Sequence, residues 1–517
     1  MKKQTELAIY PDKLSNKDLH KKLVAQKLRI DPQDINALIP LRRSVDARKA
    51  PVYRILYDVY INENPDFAEE KINYQPVKGD NKVIVVGFGP GGMFAALKLI
   101  EAGIKPIVLE RGKNVTDRRF DISAIQKKHI VNPDSNFCFG EGGAGAYSDG
   151  KLFTRSTKRG NVKRILKILV QHGADPDILV DAHPHIGSNR LPKIVSDIRE
   201  TILANGGEIH FNSRVTDLIV KDRKLSGVIA NNSMEFSGDA VILATGHSAV
   251  DIYYMLKRHD IKLEAKPFAM GVRLEHHQSF INEIQYHSKS YSKHLPAASY
   301  TLTCKTSERG AFSFCMCPGG IIVPAATSPD EQVVNGMSVS RRDSPYANSG
   351  FVVTVDERDW IRHENENEFA GLKLRMDLEK LAFELGGNTQ TAPAQRAMDF
   401  VKGKESATLN LSSYIPGIVS APLHEHLPEF MVKGLREALI FFDGKMRGFS
   451  SNNAQLIGVE TRTSSPLRIP RDRDILMSPD VEGLFPCGEG AGHAGGIVSA
   501  AIDGENCAVA VMKYMKN

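Results

Sequence analysis

The stretch Val83-Ile84-Val85-Val86-Gly87-Phe88-Gly89-Pro90-Gly91-Gly92 decides the reading of this chain. Four apolar residues in a row predict a strand covered on both faces, as in a parallel sheet. The glycines after it stand where a strand–turn–helix dinucleotide site needs them. Gly87 allows the tight turn, Gly89 leaves the backbone open to a pyrophosphate, and Gly92 lets the next helix approach the strand. A helix over residues 91–102, led in by Pro90 and opened by Gly91, then aims unpaired N–H groups at the phosphates. A second strand over residues 106–109 ends in Glu110, where an acidic group accepts ribose hydroxyl bonds. Replacing Glu110 by alanine is expected to loosen the cofactor without unfolding the chain.

Further along, Ala244-Thr245-Gly246 ends another apolar strand, read over residues 239–245. Near the C-terminus stands Gly488-Glu489-Gly490-Ala491-Gly492-His493-Ala494-Gly495-Gly496-Ile497, followed by a helix over residues 499–515. Alone, the tripeptide reads equally as an ordinary strand-to-loop turn. In this order the segments are similar to those of flavoproteins, whose chain returns to finish the FAD pocket. Tightly held FAD is implied, rather than a diffusible nicotinamide. The Gly140–Lys151 run, with Gly142, Gly143, Ala144, Ser148, Asp149 and Gly150, supplies small residues for backbone lying against a flat ring. Phe137, Phe139 and Tyr147 around it are unusual in a solvated linker. Lys151 reads equally as a cation near the reduced ring or as a surface lysine.

Five further stretches complete a family resemblance: Asp46-Ala47-Arg48-Lys49, the 140–152 segment, His183-Pro184-His185-Ile186-Gly187, Lys266-Pro267-Phe268-Ala269-Met270-Gly271-Val272-Arg273, and Gly458-Val459-Glu460-Thr461-Arg462-Thr463-Ser464-Ser465-Pro466. With them the chain resembles the bacterial family of uncharacterised FAD-dependent dehydrogenases, in the glutathione-reductase-like FAD/NAD(P)-binding superfamily. The resemblance implies an α/β fold. Its Rossmann-like FAD-binding domain, of three-layer ββα architecture, spans 79–265 and 470–517. A mixed or antiparallel β substrate domain is inserted at 266–469, behind a small basic α/β domain at 1–78. The cofactor set includes Arg111, Val215, Glu489, Gly495, Gly496 and Ile497 beside the glycines already named. Lys151, Arg462 and His493 are the catalytic candidates.

The implied activity is hydride transfer between an organic substrate and flavin N5. No second glycine fingerprint is present, so NADH or NADPH would dock transiently as electron donor. Two other readings stay open: a flavin-dependent RNA-modifying protein, and a non-enzymatic flavin-bound sensor or scaffold. The basic excess lies wholly in residues 1–60, with 13 Lys/Arg against 7 Asp/Glu, and the rest of the chain is balanced. Arg42, Arg43, Arg48 and Lys49 would meet phosphates, but no RNA-binding fingerprint accompanies them, so nucleic acid is not the expected partner.

At 517 residues the chain is long enough for two or three domains. Six scattered cysteines form no disulfide framework, and no secretory signal or membrane-spanning apolar run is seen, so a cytoplasmic protein is expected. Cys315-Met316-Cys317 would place both thiols on one side of an alternating strand, where free thiols are expected rather than a redox pair. No metal is expected, because His183-Pro184-His185 and His424-Glu425-His426 lack further ligands. The pattern also predicts a strand over 208–220, a linker over 62–81 and helices over 16–28, 191–204, 364–385 and 427–441.

Overall fold

The apolar run at residue 83 becomes the middle strand of a five-stranded sheet in the structure, a computed structural model describing residues 1–66, 71–154, 160–287 and 294–516. Lys82–Val86 lies between Ala240–Leu243 and Lys105–Leu109, and the edges are Leu484–Pro486 and Glu208–His210. Every pairing is parallel. Alternate side chains of each strand go to opposite faces. Val83, Val85, Val108 and Ile242 pack with the helices Pro90–Glu101, Leu191–Ala204 and Ile497–Tyr514. Ile84, Val86, Ile107 and Leu243 pack with Val215, Leu218, Leu225 and Val228 of a three-stranded antiparallel sheet. Burial on both faces explains the unbroken apolar run.

Helix Pro90–Glu101 starts with proline at its first turn, where a missing N–H costs nothing, and the chain leaves it through Gly103 at φ 73°. Fully buried Phe94 and Leu97 each contribute roughly 1.5–3 kcal/mol. Its contact with Ile497–Tyr514 runs through glycine: a Cβ on Gly504 would lie 2.0 Å from the Gly91 carbonyl oxygen. The N-terminal and C-terminal segments are thereby locked side by side with their helix starts together.

A seven-stranded mixed sheet forms the second large layer. Its order is Thr303–Lys305, Gly310–Cys317, Tyr346–Val355, Phe268–His277, Gln455–Glu460, Ala392–Arg396 and Ile418–Ser420. Only the last pair is parallel. Helices Ala370–Leu385 and Glu429–Lys445 bury Leu374, Leu378, Leu435 and Leu439 in its core. The first 61 residues fold as a three-stranded antiparallel sheet with Val52–Ile61 in the middle and helix Lys17–Leu28 against it.

Three expectations are corrected. Strand Ile35–Asp46 is absent from the sequence reading: it is an edge strand whose register shifts between Pro40 and Arg42, and proline and arginines hide its pattern. The strand expected over 208–220 is two strands in different sheets, Glu208–His210 and Val215–Lys221, separated at Asn212 with φ 54°. The helix expected from 364 begins at Ala370, because Asn367 takes φ 49° and ends a preceding 3-10 turn. Of the expected 62–81 linker, residues 67–70 lie outside the described residues. Of the groups offered as phosphate contacts, Arg43 is ion-paired to Asp177 and Asp181, and Arg48 pairs with Asp46 while its side chain stays 85% exposed.

Candidate functional site

The two ends of the chain meet in one cleft with about 1570 Å³ of empty space, its open mouth included. The turn after Lys82–Val86 forms part of its wall. Gly87 has φ 94°, and a Cβ there would lie 2.6 Å from the Ala244 carbonyl oxygen. A Cβ on Gly92 would lie 1.9 Å from the Gly87 carbonyl oxygen. These two glycines shape the turn. Gly89 does something else: a Cβ there would meet only Gly143 Cα, at 3.8 Å, so glycine leaves that wall bare. As N-cap of Pro90–Glu101, Gly89 offers no side-chain acceptor to the first-turn N–H groups.

Three other segments close on this turn. Gly143, at φ 57°, brings the 140–151 loop against Gly89. Gly490 packs on the loop after Ala244, where a Cβ would lie 2.5 Å from the Gly246 carbonyl oxygen. Gly496 caps helix Ile497–Tyr514 at φ 91°, again with no side-chain acceptor, and Gly488 and Gly496 have nothing within 4 Å of a Cβ position. Behind them Asp503 accepts the Gly488 N–H at 2.7 Å and is clamped by Arg471. Two helix N-termini without a side-chain cap thus open into one cleft, an arrangement that fits a diphosphate-bearing cofactor.

Gly87, Gly89, Pro90, Gly91, Glu110 and Arg111 line the cleft. So do Gly143, Ala144, Ser148, Asp149, Gly150 and Lys151 of the loop. Val215, Ala244, Thr245, Gly246, Gly488, Glu489, Gly496, Ile497 and Arg462 line it as well. Gly92, Gly142, Gly495 and His493 do not. Gly92 and Gly142 are buried behind the wall, where a Cβ would strike Gly87 and Ala146.

Glu110 is buried and already engaged. Its carboxylate accepts the Phe88 N–H at 2.8 Å and the Gly112 and Gly140 N–H groups at 2.9 Å each. It ties three loops together at the cleft wall. Its removal is therefore expected to cost stability as well as cofactor affinity. Arg111 pairs with Asp134 and Asp251 and lies 4.2 Å over the Phe139 ring.

Other parts of the cleft wall are built from charged side chains. Asp149 is clamped by Arg342 at 2.6 Å and by Ser338, with Lys151 at 3.3 Å. Burial opposes ionisation of Asp149, but the Lys151 and Arg342 cations outweigh it and lower its pKa. Burial likewise opposes the Lys151 cation, yet the Cys317 sulfur and Asp149 raise its pKa. Arg462 is buried and saturated. It donates to Glu379 at 2.7 and 3.0 Å, to Glu331 at 2.7 Å and to Thr327 at 2.7 Å. Burial alone would raise Glu379, but Arg462 and Arg375 hold its carboxyl down to about 2.

The geometry separates two of the catalytic candidates. Arg462 lines the cleft with its donors committed to Glu379, Glu331 and Thr327. His493 lies off the cleft with Nε2 3.0 Å from the Ile469 carbonyl oxygen. His247 does line it, although the sequence suggested no role. Burial and the Arg375 and Arg462 cations push His247 down to about 3, while burial pushes Glu489 up to about 7. Glu489 Oε1 lies 3.8 Å from His247 Nδ1. Cys315 and Cys317 also reach the cleft. The strand is not the alternating one expected: its register shifts between Phe314 and Cys317, and Cys315 takes φ 42°. The adjacent cysteines were the only local signal for this wall.

Comparison with known proteins places the chain among relatives. Residues 267–463 match the family described as FAD-dependent protein, C-terminal domain-like, and residues 1–60 match a domain of unknown function. An uncharacterized protein of Clostridium beijerinckii is 41% identical over 504 residues, spanning 93% of each chain. The two proteins belong to one family. Among solved structures, a geranylgeranyl bacteriochlorophyll reductase-like protein of Thermoplasma acidophilum aligns over 85% of this chain and 83% of its own, at 13% identity and TM-score 0.34. Glycine oxidase of Bacillus cereus aligns over 84% and 95%, at 11% identity and TM-score 0.31. Likenesses this weak carry no argument about chemistry. No helix among the described residues is long and apolar enough to cross a membrane.

Proposed function

We propose that this protein is an FAD-dependent oxidoreductase that transfers hydride between a small organic substrate and flavin N5, in the cytoplasm. The observation that carries the reading is the convergence of two side-chain-free helix N-termini, at Gly89 and Gly496, on one cleft. FAD supplies a hydride-accepting ring when bound. The chain's own residues bind and orient it. With FAD bound, the first-turn N–H groups after Gly89 would hold the pyrophosphate, and the Gly143–Ala144 backbone would line the cofactor. Glu110, Arg111 and Val215, which also line the cleft, would serve the ribose. The N-terminus of Ile497–Tyr514 and the Lys151 ammonium would supply positive potential to the reduced ring.

Under this reading residues 79–265 and 470–517 bind FAD, residues 266–469 cover the ring and select the substrate, and residues 1–78 form an accessory domain. Glu489 titrates near neutrality beside a neutral His247, so this pair is suited to hold or release a proton at the cleft wall. With one dinucleotide fingerprint in the chain, NADH or NADPH would dock transiently as electron donor. The test is anaerobic reduction of the purified yellow protein. Bleaching by NADH or NADPH within seconds is expected; a bound flavin that neither these nor any organic donor reduces would instead favour a sensor or scaffold.

A further inference from the structure

The cysteine pair is the feature that hydride transfer does not use. Cys315 and Cys317 both line the cleft, on the wall that also carries Lys151. Their strand does not run on regularly. Instead it breaks register against Tyr346–Val355 after Phe314, and Cys315 takes a left-handed φ of 42°. A non-glycine residue in that region is strained, and such outliers gather at functional sites.

The surroundings of Cys317 are also built. Its sulfur lies 3.5 Å from the Lys151 ammonium and 3.5 Å from Arg273 Nη2. The same Arg273 nitrogen donates to the Cys315 carbonyl oxygen at 2.8 Å, which holds the distorted turn in place. Arg273 is itself buried and fixed by Glu460 at 2.6 Å and by Asn348 at 2.8 Å. A Cβ on Gly336 would lie 2.1 Å from Arg273 Nη2, so glycine there gives the guanidinium its passage. Cys317, the sulfur touched by both cations, is the one placed to react first.

We propose that Cys315 and Cys317 form a dithiol/disulfide couple that exchanges two electrons with flavin bound in the cleft, a proposal that rests on the flavin reading above. The two thiols give up two electrons and two protons as one S–S bond forms. The electrons and one proton go to oxidised flavin, and the second proton goes to water. In the reverse direction the reduced cofactor restores both thiols, and the couple would pass electrons to a thiol- or disulfide-bearing substrate entering the cleft. Lys151 and Arg273 act as positioning residues for the Cys317 sulfur.

Anaerobic dithionite titration of the air-oxidised, purified protein tests this, followed by its flavin absorbance. Wild type should consume about two equivalents per bound flavin, and Cys315→Ser or Cys317→Ser about one. The Cys315–Cys317 peptide should resist alkylation before reduction and take two labels after it. Wild type that consumes one equivalent, with both cysteines alkylated from the start, overturns the couple while leaving the flavin reading intact. A folded, colourless protein that takes up no flavin overturns both, and absorbance alone tells the two failures apart. Cys315→Ser is the safer variant, because Cys315 is open to the cleft whereas Cys317 is buried.

Discussion

Where two helix N-termini reach the cleft its wall is bare backbone, whereas elsewhere it carries side chains held in ion pairs. Gly89, Gly488 and Gly496 leave open space where a side chain would stand. Arg462 in the wall is paired with Glu379, and Arg273, which touches Cys317, is paired with Glu460. The bare wall is adapted to a ligand that brings its own charge and shape. The charged wall is a fixed scaffold, and its stability depends on every partner being present.

Removing one partner in the charged wall should therefore do the most damage. Arg462→Met leaves the buried Glu379 and Glu331 carboxylates short of their main cation, an expected loss of about 3–5 kcal/mol. Urea unfolding measures it, and Arg462→Lys should recover little, because one ammonium cannot span both carboxylates. A loss below about 1 kcal/mol would break the contrast between the two kinds of wall.

Glu110→Ala probes the joint between turn and loop. Three buried N–H groups lose their acceptor, so about 3 kcal/mol of stability should go together with cofactor affinity. Loss of flavin from a protein of unchanged stability would return Glu110 to a purely ligand-binding role.

The smallest effect is expected at Glu489. Its folded pKa, about 7, lies above the ordinary carboxyl value of 4.5. The folded protein therefore holds that proton more tightly than the unfolded chain. The stabilisation is complete below pH 4.5 and is lost as pH rises to about 7. Glu489→Gln should flatten this part of the cofactor-free protein's stability–pH curve and raise its melting temperature above pH 7. A variant curve parallel to wild type across that range would exclude the buried carboxyl as its cause.

The same contrast explains what sequence makes visible. Glycines at 87, 89, 92, 143, 488 and 496 answer local demands of turn, close approach and bare surface, so their spacing alone points to one site. Strand Lys82–Val86 and helix Pro90–Glu101 are equally local and agree with the pattern read for them. Arg462 is different: its carboxylate partners lie 83 and 131 residues away, and no window of sequence contains them. His247, Arg342 and the distorted turn at Cys315 join the site in the same long-range way. Strand Ile35–Asp46 stayed hidden for another reason, since an edge strand with Pro40 at its bulge lacks the apolar alternation that marks buried strands.

The central claim is that the bare backbone wall holds FAD, and the flavin-to-protein ratio of wild type against Gly89→Val measures it most directly. A Cβ at this position makes only an ordinary contact, 3.8 Å from Gly143 Cα, and valine suits the extended N-cap backbone, so the variant should fold with a nearly unchanged melting temperature. Wild type should purify yellow with close to one FAD per chain, and the variant should bind FAD at least about tenfold more weakly. A colourless wild type that takes up no FAD, or a variant that keeps its flavin undiminished, would contradict the account.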